Sequence, residues 1–285
     1  MADGDANYSP EIARNLREIL DSDRFVTECF NRRSLTISQA LCLLWHNQDS
    51  GEVPGRKSSA PLYGNVTAAA LVDLYVLRKI DFEDAPVTCL GVKYKNMAVK
   101  VNSLKWDAYD VENTAGNVIN FTPTNSYLDD CLFNQMVAHA QKHPNKPRNA
   151  EGWILKGSNY HKPTCVSATF DSLVKLGLLR KERRNLGTCV KYPTVNPEPQ
   201  STLIREVKMI ALAGHAADGF TWTLLKLARF SDSLFIGGAP MLKHHFSKEE
   251  YRDAKKNMKE LVDVNKDSIR KNGKRRKDLE SDNLF

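Results

Sequence analysis

The side chains best able to carry chemistry are the seven histidines and six cysteines. His46, His139, His143, His161, His215, His244 and His245 fall on different segments, with no spacing of the HExxH kind. His244 and His245 follow Lys243 and read as a solvated surface. Cys29, Cys42, Cys89, Cys131, Cys165 and Cys189 are scattered and form no CxxC pair. A structural zinc site needs close ligand pairs, so this pattern argues against metal. Asp129 and Asp130 are adjacent, and neighbouring residues on a helix point apart. No P-loop or dinucleotide fingerprint is present, and Gly237-Gly238 before Pro240 reads as a helix break. The expectation is a protein that is not an enzyme, with no cofactor and no metal.

The cations are more informative. The chain has 41 Lys+Arg against 34 Asp+Glu, a net charge of +7 and a pI near 9.0. Such a balance suits a polyanion, either nucleic acid or an anionic membrane face. The densest run, RKNGKRRK at 270–277, is too polar to pack. Arg32-Arg33 and Arg56-Lys57 add smaller clusters. Arg180, Lys181, Arg183 and Arg184 flank a turn that contains Leu186. An apolar tip between cations is what an interfacial anchor needs, each surface cation contributing about 1 kcal/mol. A winged helix would place the same hairpin on a phosphate backbone.

These groups need elements to position them, and the periodicity predicts mostly helices. Residues 5–21 form a short amphipathic helix with Ile12, Leu16 and Leu20 inward. Residues 34–47 form a helix apolar on more than one side, capped by Ser34 or Thr36. A Gly, Pro and Ser-rich loop covers 49–61, and a helix covers 65–79 with the small run Ala68-Ala69-Ala70. Alternation predicts a short strand at 80–83, which VKYKNMAVKV could pair with, and a turn at 112–117. Further helices are expected at 125–143, 163–177, 202–213, 221–235 and 248–264, with one or two helical turns around Trp153. Pro163 suits the first turn of the 163–177 helix, and Gly177 its end. A β-hairpin follows at 178–192. The fold expected is mainly α, a single globular helical domain with a β-hairpin and a few short strands. The 41% hydrophobic content fits a packed globule, and no apolar run approaches the ~20 residues of a membrane span. Residues 1–10 are acidic and polar, unlike a secretory signal, so reduced thiols in the cytosol are expected.

Four segments in order carry a resemblance. They are Leu35-Thr36-Ile37-Ser38-Gln39-Ala40-Leu41-Cys42-Leu43-Leu44, then Ala69-Ala70-Leu71-Val72-Asp73-Leu74 closing with Lys79-Ile80. Leu173-Val174-Lys175-Leu176-Gly177-Leu178-Leu179 precedes the hairpin, and LLKLARFSDSL covers 224–234. Together they resemble the Golgi phosphoprotein 3 (GPP34) family over roughly residues 34–264. The resemblance implies a helical domain, 34–264, between an N-terminal extension, 1–33, and a basic tail, 265–285. It implies a peripheral protein of the cytosolic face of Golgi membranes, also present in cytosol, that binds phosphatidylinositol 4-phosphate or other anionic lipid. It also implies retention of glycosyltransferases by gripping their cytosolic tails in a groove among the helices, together with coatomer, and self-association through the hairpin.

By the same resemblance the lipid-binding residues are Arg56, Lys57, His161, Lys162, Arg183 and Arg184, with Arg180, Lys181 and Leu186 forming the membrane hairpin. The family's pocket has a Trp and an Arg in the loop and helix before the Ala69 segment. Here residues 55–67 hold no Trp, and Thr67 stands about where the Arg is expected. Where the family places two Arg before the hairpin helix, only His161 and Lys162 occur. The family's basic coat-binding stretch is reduced to Arg32-Arg33. The alternative is a winged-helix nucleic-acid-binding protein that reads with residues 163–192, although Lys175 is the lone cation between Pro163 and Leu176.

Overall fold

The computed structural model describes residues 9–53, 60–89, 92–102, 110–112, 118–120, 132–158, 164–184, 189–234 and 241–263. The architecture is mainly helical. Its centre is a helix with no exposed side, a consequence of apolar residues all round it. This is α3, Ile37–Trp45, preceded in chain order by α1, Ser9–Leu20, and the single turn α2, Glu28–Asn31. Every residue of α3 is buried. Thr36 caps it reciprocally with Gln39, so the second of the two predicted caps is the one used. Helix α4, Ala60–Val76, lies along α3 and also packs on α1. On α1 the buried stripe is Ile12, Leu16 and Ile19.

Helix α4 starts five residues before the predicted position and stops three earlier. It stops because Arg78 takes a left-handed φ of 54°. The Lys79 amide then bonds the Leu74 carbonyl and the Arg78 amide the Tyr75 carbonyl. That bonding pattern closes a helix and usually uses glycine. The chain turns directly into β1, Ile80–Cys89, which pairs antiparallel with β2, Val92–Val101, Ile80 facing Val101. This hairpin is far longer than the predicted strand at 80–83. Strands β3, Asp110–Glu112, and β4, Val118–Asn120, form a second small pair around the predicted turn.

Helix α5, Asn134–Lys142, is the described part of the predicted 125–143 helix, and α6, Ala150–Ser158, carries the buried Trp153. The edge of β2 meets this region through a bond from the Val99 amide to the Arg148 carbonyl. Helix α7, Cys165–Lys175, is capped by Thr164 paired with Ser167, and Pro163 lies outside the described residues. Gly177 takes φ 71° and ends it as expected. Leu176, within the predicted 163–177 helix, occupies the cap as the chain leaves the core and is exposed at 37%. Strands β5, Glu182–Arg184, and β6, Cys189–Lys191, form the predicted hairpin. Then come α8, Glu198–Ala213, α9, Gly219–Leu234, and α10, Lys248–Asp263. Helix α8 buries one face, through Leu203, Val207 and Ile210. Helices α4, α7, α8 and α9 surround α3, and their apolar faces join one continuous core.

Candidate functional site

The hairpin predicted to face an anionic surface is held by backbone geometry at its base. The Gly177 turn brings the Leu178 amide back to the Leu173 carbonyl. From there the ladder runs Leu179 opposite Thr194, Glu182 opposite Lys191, Arg183 opposite Val190 and Arg184 opposite Cys189. The loop after α3 docks on the outer strand, the Tyr192 amide bonding the Gly51 carbonyl at 2.7 Å. Gly51 has φ 67°, and a Cβ there would sit 3.0 Å from the Pro193 nitrogen, so only glycine fits this approach. Tyr192 is buried and stacks on Phe170 at 4.7 Å between ring centroids. The Lys191 ammonium lies 2.9 Å from Glu52 and holds that carboxyl below the ordinary carboxylate range.

Among the four cations predicted to flank the turn, Arg180 and Lys181 also have carboxylate partners. Arg180 Nη2 donates to Glu182 Oε1 at 2.6 Å, and Lys181 Nζ to Asp171 Oδ1 at 2.5 Å. Surface pairs of this kind contribute ~0–1 kcal/mol, little enough to be exchanged for an anionic headgroup. Arg183 is exposed. The Arg184 backbone closes β5, while its side chain and Leu186 lie outside the described residues.

Arg56, Lys57, His161 and Lys162 also lie outside the described residues. Their two segments adjoin α4, α6 and α7, and both α6 and α7 pack against α4. Thr67, where the resemblance leads one to expect an arginine, is fully buried and donates to the Tyr63 carbonyl at 3.0 Å. A Cβ on Gly157 would come within 2.5 Å of the Thr67 side chain. Position 67 is thus a close contact between α4 and α6, with no room for a guanidinium.

Arg33 is not a free cation. Its Nη1 donates to Glu206 at 2.9 Å and its Nη2 to Asp218 at 2.7 Å, with the guanidinium 5.0 Å from the Phe220 ring centroid. Arg32 beside it is exposed.

The histidines at 244–245 are not the solvated surface expected. His245 Nε2 donates to the Leu44 carbonyl at 2.7 Å and His244 Nε2 to the His46 carbonyl at 3.4 Å. Gln200 Nε2 donates to the Leu43 and His46 carbonyls. The last carbonyls of a helix have no intrahelical donor, and α3 ends inside the protein, so side chains must supply one. His46 turns its own Nε2 to the Tyr192 carbonyl at 2.7 Å and so ties α3 to the hairpin. Burial lowers the pKa of all three, that of His245 to about 4. Asp73 does the complementary work at the other end of α3, accepting from the Ile37 and Ser38 amides at 2.8 and 3.1 Å. The Thr36 cap was anticipated, but the Asp73 contact and the donors at the other end were not, although a lone Asp in the apolar run of α4 was a visible signal.

Among the described residues, no cluster of His, Cys, Asp and Glu could hold a metal ion, and no helix is long and apolar enough to cross a membrane. The outward side of α7 carries Ser167, Asp171, Val174 and Lys175, one acid against one base. A search among curated proteins finds no match. A family model described as Golgi phosphoprotein 3 (GPP34) matches residues 37–275, a span that contains every element from α3 to α10. By that match over most of its length, the chain belongs to the Golgi phosphoprotein 3 family.

Proposed function

We propose that the protein is a peripheral adaptor on the cytosolic face of Golgi membranes. In this reading it binds phosphatidylinositol 4-phosphate or other anionic lipid and helps retain glycosyltransferases through their cytosolic tails, with coatomer. The family match over residues 37–275 carries the reading. The net charge of +7 and the cation-flanked hairpin with exposed Arg183 support the lipid part. Headgroup selection needs several converging donors, and Arg supplies them with fixed bidentate geometry where Lys does not. With Thr67 packed into the α4–α6 contact, binding is expected to follow charge more than phosphate position.

Liposome flotation with the 3-, 4- and 5-phosphate lipids at equal charge tests this. The expected result is binding to all three with less than about tenfold discrimination, or ~1.4 kcal/mol. Changing Arg183→Glu and Arg184→Glu together should reduce it severalfold. Unchanged flotation of that variant removes the hairpin from the membrane-facing role. A duplex-DNA shift at matched salt, seen without flotation, overturns the adaptor reading in favour of the winged-helix one. The near-neutral outward face of α7 does not favour that result.

A further inference from the structure

A second cationic cluster is built on elements other than those that hold the hairpin, namely α5, α6 and the edge of β2. From His139 to the end of α6 the chain carries Lys142, Lys146, Arg148 and Lys156 against the single acid Glu151. The three lysines are exposed and Arg148 is half-buried. One buried ring places two of these charges. The Arg148 guanidinium lies 4.9 Å and the Lys156 ammonium 5.2 Å from the centroid of Trp153, which is 2% exposed. Gly152 leaves room for the Arg148 stem, since a Cβ there would sit 3.0 Å from Arg148 Cγ and 2.8 Å from Asn149 Oδ1. His139 meets the same ring edge-on at 5.8 Å, and His143 lies 4.9 Å from His139. Burial lowers the pKa of His139, and the charges of Arg148, His143 and Lys156 add to that effect. The loop between the helices is fastened along its length. The Lys146 amide bonds the His143 carbonyl at 3.1 Å, His139 Nε2 donates to the Lys146 carbonyl at 3.3 Å, and the Val99 amide bonds the Arg148 carbonyl at 3.0 Å. Pro144 and Pro147 restrict the backbone further. Among the described residues, Lys142, Lys146 and Arg148 have no carboxylate partner.

We infer that this patch is a docking site for a phosphorylated acidic segment of a protein partner, the phosphomonoester meeting Arg148 and Lys156 and neighbouring carboxylates meeting Lys142 and Lys146. A phosphoserine carries about −1.5 to −2 charges at neutral pH and three strong acceptor oxygens. A guanidinium stacked on a ring offers its N–H fork in a fixed plane, which is the donor geometry a phosphate takes best. Clusters of arginine and other cations are the recurring means of reading phosphorylated and acidic motifs. Because the loop is already fastened, docking has little backbone freedom left to freeze. Other polyanions fit this patch less well. Single-stranded nucleic acid gains from bases stacking on accessible aromatic faces, and Trp153 is covered. A duplex is held by cations spread over several phosphates, whereas these are gathered around one ring. An interfacial anchor needs an apolar tip, and residues 142–148 hold no large apolar side chain. The patch uses none of the residues assigned to lipid, so it stands whether or not the hairpin meets a membrane.

The test uses the full chain without lipid and a labelled synthetic peptide with one phosphoserine among aspartates and glutamates, read by fluorescence anisotropy. The phosphopeptide should bind, and the same peptide with plain serine should bind about tenfold more weakly. Changing Lys142→Glu and Lys146→Glu together should weaken phosphopeptide binding by about tenfold or more. Both residues are exposed, so this variant keeps its fold. Arg148→Lys keeps the charge and loses the fork, and should weaken binding severalfold. Equal binding of the serine peptide, or wild-type affinity in the Lys142→Glu, Lys146→Glu variant, overturns the proposal. So does wild-type affinity of Arg148→Lys, because a diffuse positive field would not distinguish the two cations. Flotation of the Lys142→Glu, Lys146→Glu variant on anionic vesicles should match wild type. Loss of that flotation with no phosphopeptide binding assigns the patch to the membrane instead and overturns the proposal, as does a nucleic-acid shift abolished in the same variant with no phosphopeptide binding.

Discussion

At the scale of single residues, the two ends of α3 carry polar groups far from water. Asp73 is 4% exposed and accepts two amides and the Ser38 hydroxyl. Removing it leaves buried donors unsatisfied, each costing about 1–3 kcal/mol. Asp73→Ala should therefore destabilise the fold by on the order of 3 kcal/mol, read as a lowered urea midpoint. At the other end, burial dominates His245 and its pKa falls to about 4, with His244 and Lys208 pushing the same way. The unfolded chain binds that proton near the ordinary ~6.5, so it holds more protons than the native state below this pH. Stability should be flat above that pH and decline as pH drops toward about 4. At 1.36 kcal/mol per unit, about 2 kcal/mol is lost between pH 7 and pH 5. His245→Asn, able to donate to the same carbonyl, should flatten the decline. A wild-type urea midpoint that does not move over this range would exclude His245 as the group responsible.

At the scale of elements, the α4–α6 contact is decided by one missing side chain. Gly157 would ordinarily be a weak point, since glycine in a helix interior costs about 1 kcal/mol against alanine. Here alanine would put its Cβ within 2.5 Å of Thr67, so the helices would have to separate. Overpacking of this kind costs ~1–3 kcal/mol and outweighs the propensity gain. Gly157→Ala should lower the melting temperature, and adding Thr67→Ala should restore most of the loss. If the double variant melts no higher than Gly157→Ala alone, the clash is not with Thr67. This contact also bears on function, because it consumes the position where the family resemblance leads one to expect a lipid-binding arginine.

Taken as a whole, the molecule carries a net charge of +7. Attraction of the basic surface to anionic vesicles should be screened, the Debye length being ~8 Å at physiological ionic strength. Binding to vesicles of anionic lipid should fall steeply as salt rises. Flotation that resists high salt would point to apolar insertion rather than charge as the main force.

Much of this was legible in local pattern. The heptad-like stripe of α1, the all-apolar run of α3 and the alternation of β1 are period and composition, which one chain segment carries by itself. The Gly177 turn was legible because glycine announces a left-handed residue, and the basic hairpin because its cations flank a turn. The end of α4 was not, since Arg78 adopts the same conformation without the glycine that signals it. His244 and His245 looked solvated because nothing nearby in sequence shows that the α3 carbonyls come to meet them. Arg33 looked like a free cation for the same reason, its partners Glu206 and Asp218 lying on α8 and just before α9. Composition and periodicity determined a basic, helical chain with one cationic hairpin. Which charges remain available to a ligand was decided by the packing of distant elements, because an ion pair depends on distance in space and not on separation along the chain.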